Sequence, residues 1–373
     1  MHYKLITFGC QMNISDSERI ATILKKMKYT STLDENKANL ILVNACSVKQ
    51  KAINRIFGQM KNWKKLKEKN PSLIIGLTGC ITEKDKKKFK DKVDLIFDIK
   101  ELPELEMKIK KLIKNNIEIS CKIYSKQNKK NQDDDINYFH IEPKYSNKNI
   151  GYLPIMTGCN NFCSYCIVPY TRGPEISRPV KEILQEIKNL IKKKYKKIFL
   201  LGQNVNSYQS KLNNEIFDFP KLLKLINQIP GNFKINFLTS HPKDMSDELI
   251  NVMAKSEKIK KELHLPIQSG DNEILKKMNR KYTVQDYLKL VQKIRKQMPN
   301  IFLSTDVIVG FPRETNKQFE NTVKLYKKIK FNKAYISQYS PRPQTAAAKL
   351  DDDVSNEEKK RRWKILNDLI NKK

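Results

Sequence analysis

Three cysteines in one short segment, Cys159, Cys163 and Cys166, are the residues best suited to chemistry. Three thiolates this close can cover one face of a metal cluster, and a [4Fe–4S] cluster normally takes four cysteines. Three would leave one iron open for a substrate or cofactor. A structural zinc site is the alternative, but zinc requires a closed set of four ligands. The nearest histidines, His140 and His241, are distant in sequence, so the spacing favours a cluster.

Three further cysteines, Cys10, Cys46 and Cys80, each follow an apolar run, at spacings of 36 and 34 residues that match one βα unit each. Loops at the carboxyl ends of parallel strands gather at one edge of a sheet, so these thiols could converge on a second cluster. Ordinary semi-buried thiols are the alternative. Two triads in one chain favour the cluster. Cys121 belongs to neither triad, and we predict no role for it.

The elements that position Cys10, Cys46 and Cys80, called the first triad because it comes first in the chain, alternate short apolar runs with lysine-rich amphipathic stretches, which predicts a parallel α/β sheet. The predicted strands are 3–8, 40–43, 73–77 and 95–97, and the predicted helices are 16–27, 47–67 and 83–90. Asp16 is the expected N-cap of the first helix.

In the second half of the chain, strand, loop and helix repeat six times. The predicted strands are 150–156, 197–201, 234–238, 262–267, 302–309 and 334–339. Six such units predict an incomplete relative of the eight-unit TIM barrel, with its active site at the carboxyl ends of the strands. Polar residues 125–148 predict a linker, and the tail from Asn356 predicts a basic amphipathic helix with Trp363, Ile365, Leu366 and Leu369 on its apolar side.

The net charge of +33 predicts attraction to polyanions, with nucleic acid the first candidate. An AT-rich genome, which enriches lysine, is the alternative explanation. No apolar run reaches the length of a membrane span, and a strand from Tyr3 leaves no room for a signal peptide, so we expect a cytoplasmic protein without a membrane partner. Seven cysteines without a secretion signal argue against a disulfide framework.

The loop from Cys159 to Cys166, with Tyr165 before its last cysteine, resembles the signature of the radical-SAM superfamily. The two triads together resemble the methylthiotransferases, and several stretches resemble the MiaB-type tRNA enzymes. The matching stretches are Thr7–Asn13, Asn44–Val48, Cys166–Gly173, Leu201–Tyr208, Thr239–Pro242, His264–Gly270, Met278–Arg280, Asp306–Pro312 and Tyr339–Pro343.

This resemblance implies an α/β fold in two parts. A flavodoxin-like methylthiotransferase domain over residues 1–124 would bind an auxiliary cluster, and a linker would cover 125–148. A radical-SAM partial (β/α)6 TIM barrel would span 149–348, followed by the basic helix at 349–373. Members of the family normally continue into a small RNA-binding β-barrel called TRAM, which we expect to be absent here.

The implied reaction is methylthiolation of C2 of N6-isopentenyladenosine at position 37 of tRNA. It would use two S-adenosylmethionine molecules and two [4Fe–4S] clusters, held by Cys159, Cys163 and Cys166 and by Cys10, Cys46 and Cys80. The implied partners are the tRNA anticodon stem-loop, an electron donor such as flavodoxin or ferredoxin, and an unidentified sulfur source, with the enzyme a monomer. The alternative is a sister enzyme that acts on threonylcarbamoyladenosine in tRNA or on a ribosomal protein aspartate.

The resemblance also carries over a set of cofactor contacts and a set of substrate contacts, for which turn or core roles are the alternative. The cofactor set is Tyr165, Gly202, Gln203, Ser240, Gln268, Val307, Gly310 and Pro312. The substrate set is Asn13, Arg172, Arg178 and Arg342. Arg313 and Lys281 stand where the family usually has glycine, so we expect loops without positive φ at both positions.

Overall fold

In the computed structural model, the described residues are 1–48, 50–117 and 138–371. They form two compact units. Unit 1 comprises Met1–Lys148 and Tyr170–Arg172, and unit 2 comprises Asn149–Pro169 and Gly173–Lys373. Cys121 and residues 125–137 of the predicted linker lie outside the described residues.

Unit 1 is built on a five-stranded parallel sheet in the order β2-β1-β3-β4-β5. This is the strand order of flavodoxin-like folds, in which ligands bind where the order reverses, beside β1 and β3. The strands are β1 (His2–Thr7), β2 (Thr30–Ser31), β3 (Leu40–Cys46), β4 (Ile74–Cys80) and β5 (Leu95–Ile96). The helices are α1 (Gln11–Lys26), α2 (Gln50–Lys69), α3 (Glu83–Phe89) and α4 (Leu105–Ile117).

Both faces of this sheet are covered, because successive side chains of a strand point to opposite faces. On β3, Leu40 and Leu42 pack with α1 and α4 on one face. Ile41 and Val43 pack with α2 and α3 on the other face. This double burial explains why the central strands read as continuous apolar runs.

Two expectations for unit 1 need correction. The first helix begins at Gln11 with Cys10 as its N-cap, so Asp16 lies inside the helix, where it is fully buried. The predicted linker ends earlier than composition suggested. Tyr138 and Phe139 are buried in the core against α1 and α4, because their rings supply apolar surface that the adjoining polar residues lack.

Unit 2 contains the six predicted parallel strands, arranged as two three-stranded sheets in the orders β12-β9-β6 and β13-β14-β15. A parallel bridge from Ile235 to Ile259 lies where the two sheets adjoin. The strands are β6 (Ile150–Pro154), β9 (Lys197–Leu201), β12 (Lys234–Phe237), β13 (Glu262–His264), β14 (Phe302–Val309) and β15 (Lys333–Gln338). This is the expected partial (β/α)6 barrel.

Helices follow the strands and cover the outside of this barrel. They are α6 (Val180–Lys192), α7 (Phe219–Gln228), α8 (Asp247–Lys255), α9 (Asn272–Lys277), α10 (Val284–Gln297), α11 (Asn316–Ile329) and α12 (Asn356–Ile370). The short helix α5 (Val168–Arg172) precedes them in the chain, and its last three residues belong to unit 1. Two short antiparallel pairs decorate the unit, β7 (Met156–Thr157) with β8 (Ile176–Ser177), and β10 (Gln209–Leu212) with β11 (Glu215–Asp218).

The tail helix α12 buries a different face from the one predicted. Of the predicted apolar side only Leu366 is fully buried, whereas Trp363, Ile365 and Leu369 remain more than a third exposed. Lys359 and Arg362 are buried instead, because their charged groups lie over the rings of Tyr339 and Phe319 and pair with Asp352 and Glu314.

The expectation for Arg313 is also wrong. Its φ is 63°, the left-handed conformation that glycine adopts easily, and its backbone N–H donates to Asp353 at 2.7 Å. Lys281 has no positive φ, as expected. Among the described residues no helix has the length and apolar character needed to cross a membrane.

Candidate functional site: two cysteine triads and the edge of the barrel

The first triad gathers at the carboxyl edge of the sheet in unit 1. Cys46 and Cys80 are the last residues of neighbouring strands β3 and β4 and are register partners. Their thiols are hydrogen-bonded, which lowers the pKa of Cys46 and raises that of Cys80. Cys10 follows β1 and interacts electrostatically with both. The structure therefore brings these three sequence-distant thiols together.

Hydrogen bonds from a polar side chain of α1 position this triad. The side chain of Asn13 donates to Asn44 at 3.0 Å and to the Ala45 carbonyl at 3.2 Å. Its Oδ1 accepts from the backbone N–H and thiol of Cys10 at 3.3 and 3.4 Å. Asn13 is fully buried and its hydrogen bonds position Cys10, and its predicted nucleotide contact stays a prediction.

A second polar network joins the residues that follow Cys46 and Cys80. The hydroxyls of Ser47 and Thr82 both donate to Asp85 Oδ2 at 2.9 Å, and the Thr82 N–H donates to Ser47 at 3.2 Å. All three side chains are buried, so the carboxylate of Asp85 ties the two strand ends to one point.

Arg172 is the cationic side chain that contacts the first triad. Its Nε donates to Cys80 Sγ at 2.8 Å, and its Nη2 donates to Asp16 at 2.6 Å, with both side chains of this ion pair almost completely buried. Its Nη1 is buried without a protein partner. Such an orphaned donor is costly, and the anionic sulfurs of a cluster would satisfy it. Buried Arg172 thus contacts the first triad directly, and its predicted tRNA contact stays a prediction.

The second triad occupies the loop between β7 and α5 in unit 2. Cys166 N–H donates to the Cys163 carbonyl at 2.9 Å, and Cys159 N–H donates to the Gly173 carbonyl at 3.1 Å. The loop begins at Gly158, where φ is +82° and a Cβ would lie 1.8 Å from the Pro174 carbonyl oxygen. This close approach explains why only glycine fits at that turn.

The residues after α9 support this loop. The guanidinium of Arg280 donates to Cys163 Sγ at 3.4 Å and to the Pro266 carbonyl at 2.8 Å. Asn279, at φ 57°, donates to the Phe162 carbonyl at 2.9 Å. Arg280 is buried, and its Nε donates to the Tyr282 hydroxyl at 2.7 Å.

The chemistry of both triads fits a multi-iron cluster better than a single ion. The six cysteines are free, and burial raises the pKa of the Cys10 and Cys159 thiols and raises that of Cys166 to about 12. Among the described residues no three Cys, His, Asp or Glu side chains are placed to coordinate one metal ion. In a cluster each thiolate binds a different iron, so its sulfurs need not meet at one point.

The predicted cofactor residues lie at the carboxyl edge of the barrel. Gly202 and Gln203 follow β9, Ser240 follows β12 and Gln268 follows β13. Gln203 Oε1, Ser240 Oγ and Gln268 Oε1 are buried without a protein partner. Buried polar atoms are normally hydrogen-bonded, so three orphans at one edge favour a polar ligand such as the methionine part of S-adenosylmethionine.

The remaining cofactor residues lie on and after β14. Val307 is buried and bridges Gln268 across the edge. Gly310 has φ 67°, and its N–H donates to Glu314 at 2.6 Å, while Pro312 is buried in the same turn. Tyr165 packs on the apolar cluster of Ile274, Met278, Phe311, Tyr339 and Ala347.

The last two substrate candidates differ from each other. Arg178 is buried and pairs with Glu182 at 3.1 Å and with Glu186, so carboxylates of unit 2 balance its charge, and its nucleotide contact stays a prediction. Arg342 is half-buried in the loop after β15, and its nucleotide contact stays a prediction.

Sequence reasoning missed Arg280, Asp85 and the neighbours of Gln203. Asn204 and Asn206 also carry buried orphaned oxygens at the edge of the barrel. The Met278–Arg280 motif was the only signal for Arg280, because its partner Cys163 lies 117 positions earlier.

Comparisons with known proteins agree with this architecture. Residues 153–326 match the Radical SAM superfamily, and residues 2–98 match uncharacterized protein family UPF0004. The solved structure of TsrM from Kitasatospora setae, a radical S-adenosylmethionine methyltransferase with cobalamin and a [4Fe-4S] cluster bound, is 13% identical with a TM-score of 0.65. The match covers 93% of this chain and 74% of that one. At that identity the likeness shows the fold alone.

Curated relatives are much closer in sequence. A protein from Clostridium novyi is 45% identical over 98% of this chain and 80% of its own length. One from Carboxydothermus hydrogenoformans is 42% identical over 99% of this chain and 83% of its own length. Both are named tRNA-2-methylthio-N(6)-dimethylallyladenosine synthase.

Proposed function

Because the chain belongs to the tRNA-2-methylthio-N(6)-dimethylallyladenosine synthase family of radical-SAM enzymes, we propose that it methylthiolates N6-isopentenyladenosine at position 37 of tRNA. The reaction places a methylthio group on C2 of the adenine. The observation that supports this proposal is the pair of cysteine triads, one at the carboxyl ends of parallel strands β3 and β4 and the other in the loop that follows β6 and β7.

The cofactors of this class are S-adenosylmethionine and an iron–sulfur cluster. When bound, they supply the adenosyl radical, the methyl group and the sulfur that side chains cannot provide. We propose that two clusters are present. Cys159, Cys163 and Cys166 would hold the one that binds S-adenosylmethionine, and Cys10, Cys46 and Cys80 would hold the one that carries sulfur. Three cysteines in each case leave one iron open.

The chain itself binds and orients. The orphaned oxygens of Gln203, Ser240 and Gln268 would accept hydrogen bonds from the methionine ammonium of the cofactor. The glycine turn at Gly310 and the buried side chain of Val307 would flank its adenine. Holding reacting groups in fixed geometry within a dry site supplies much of the rate advantage of such enzymes.

The partners belong to the same proposal. The anticodon stem-loop of tRNA would be the macromolecular substrate, drawn by the basic surface. A flavodoxin or ferredoxin would supply electrons to a monomeric enzyme in the cytoplasm. Arg342 is the side chain that we assign to the nucleotide, since guanidinium suits phosphate contact and base stacking.

The test is an anaerobic reaction of the reconstituted protein with S-adenosylmethionine, dithionite and tRNA that carries isopentenyladenosine. We expect about eight iron atoms per chain, about four in a Cys10→Ala, Cys46→Ala, Cys80→Ala triple variant, and methylthio-isopentenyladenosine by nucleoside mass spectrometry. The triple variant should still release 5′-deoxyadenosine but form no product.

Two results would overturn the proposal. Stoichiometric zinc with no deoxyadenosine would show a non-enzymatic metal protein. Product on threonylcarbamoyladenosine or on a ribosomal protein, with isopentenyladenosine untouched, would identify a sister methylthiotransferase.

A further inference from the structure

In each cysteine triad, one sulfur accepts a hydrogen bond from a buried guanidinium group. In unit 1, Arg172 Nε lies 2.8 Å from Cys80 Sγ. In unit 2, Arg280 Nη1 lies 3.4 Å from Cys163 Sγ. Both arginines are more than nine-tenths buried, so water screens neither charge well.

The two guanidinium groups differ in how their charge is balanced. Arg172 forms an ion pair with Asp16 at 2.6 Å, and the Tyr138 hydroxyl donates to the same carboxylate. Arg19, the other buried arginine near this pair, donates to Ser15 and lies over the Tyr138 ring. Among the described residues no hydrogen bond or ion pair joins Arg19 to a triad sulfur or to Asp16. The first triad therefore faces a cation that a carboxylate already neutralises.

Arg280 has no such partner. Its three hydrogen bonds go to Cys163 Sγ, the Pro266 carbonyl and the Tyr282 hydroxyl. Within the described part of the chain no carboxylate forms an ion pair with it, and the sulfur of Cys163 is the one cluster-ligand atom that it contacts. The second triad thus faces an uncompensated buried cation.

This asymmetry has a redox consequence. One-electron reduction of a cluster adds one negative charge, and a nearby cation in a poorly screened site stabilises that charge. Net charge and hydrogen bonds to the sulfurs are among the factors that set cluster potentials. An uncompensated arginine therefore raises a reduction potential, whereas an arginine paired with aspartate raises it far less.

We propose that Arg280 is the positioning residue that directs the incoming electron, by raising the reduction potential of the cluster at Cys159, Cys163 and Cys166 above that of the cluster at Cys10, Cys46 and Cys80. The inference rests on the proposed function, since it requires both clusters. The reductant is the low-potential one-electron donor that this reaction already needs. No bond forms or breaks in the step, in which the donor is oxidised and the cluster reduced.

The experiment measures each cluster alone. One background carries alanine at Cys10, Cys46 and Cys80, and the other carries alanine at Cys159, Cys163 and Cys166. Anaerobic redox titration followed by electron paramagnetic resonance gives the midpoint potential in each. In the first background, Arg280→Gln should shift the potential to lower values, and Arg280→Lys, which keeps the charge, should shift it less.

Matched variants separate charge from fold. Arg295→Gln is the control in the first background, because Arg295 is a unit 2 arginine bonded to the Ile329 and Lys330 carbonyls, and we expect no shift. In the second background, Asp16→Asn should raise the midpoint potential, because it removes the carboxylate that neutralises the charge of Arg172 beside the sulfurs.

The proposal is overturned if Arg280→Gln leaves the midpoint potential at the wild-type value, or if Asp16→Asn fails to raise that of the other cluster. If Arg280→Gln does not retain iron, the proposal is judged on two other midpoint potentials. These are the potential of the Asp16→Asn variant and that of Arg280→Lys, each compared with wild type. Failure of the proposed function looks different, because the wild-type chain would then lack clusters or form no methylthio product.

Discussion

Gln268 combines two features that ordinary loop residues lack. Its φ of 74° lies in a region that residues with a Cβ rarely adopt, and its Oε1 is buried without a partner. Hydrogen bonds on both sides enforce this conformation, from its own N–H to Asp306 and from Ile308 to its carbonyl. Strain that the surroundings enforce is typical of ligand sites, which supports the cofactor role predicted from the motif.

Gly158→Ala should disrupt the second triad, because the new Cβ would meet the Pro174 carbonyl oxygen at 1.8 Å in a backbone conformation with φ +82°. We expect a loss of unfolding free energy of about 3 kcal/mol or more, and loss of iron from the Cys159 loop. The matched control is Gly58→Ala, at an open position inside α2, which should stabilise by up to about 1 kcal/mol. Urea denaturation and iron assay measure both, and equal effects would contradict the steric argument.

His241 should make stability depend on pH. Burial, aided by the nearby charges of Arg280 and Lys243, lowers its pKa to about 2, whereas in the unfolded chain it has its ordinary value of about 6.5. Below that value the unfolded state binds a proton that the folded state does not. The free energy of unfolding therefore decreases as the pH is lowered, by at most about 1.4 kcal/mol per pH unit. Urea titrations between about pH 7 and 5 should show this slope reduced in His241→Gln. An unchanged slope would assign the pH dependence to other groups.

At the scale of elements, hydrophobic patterning predicts the strands well. Four of the six barrel strands agree with the prediction to within one residue, because buried and exposed positions alternate against the outer helices. The start of α1 was missed. A cysteine N-cap gives no ordinary capping signal, and Asp16, which resembles a cap in sequence, instead lies within the helix and pairs with Arg172.

Asp85 couples the ends of β3 and β4, so Asp85→Ala should loosen the first triad. The hydroxyls of Ser47 and Thr82 would lose their shared acceptor. We expect a loss of about 1–3 kcal/mol and a lower iron content at the first triad, with the second unaffected. Asp98→Ala is the control, because Asp98 forms a partly exposed ion pair with Lys86, which lies on α3 next to Asp85. Equal iron loss in both variants would contradict the coupling role.

At the scale of the molecule, the charge of +33 has two explanations, tRNA binding and lysine-rich composition, and sequence alone does not separate them. If about six to ten phosphates are contacted, affinity for tRNA should fall about 10³–10⁵-fold between about 50 and 200 mM salt. Filter binding measures this, with a neutral osmolyte of equal osmolality as the control. A nearly flat dependence would favour composition.

What sequence could not supply is the pairing of distant charges. Arg280 and Cys163 are 117 positions apart, and Arg172 and Asp16 are 156 apart. Such pairs leave no periodicity or spacing in the chain. The burial of Asn13, Arg172 and Arg178 and their hydrogen bonds inside the protein were therefore not predictable from sequence.

The tripeptide Tyr170–Arg172 belongs to unit 1 although the chain on either side of it belongs to unit 2. A gene fragment that stops at Lys148 would leave the carboxylate of Asp16 in a dry interior without its guanidinium counter-ion, a defect that typically removes about 3–5 kcal/mol. The two halves are thus ill suited to separate expression or to exchange between relatives by recombination at residue 148. Continuity of the polypeptide is itself part of how the first triad is kept intact.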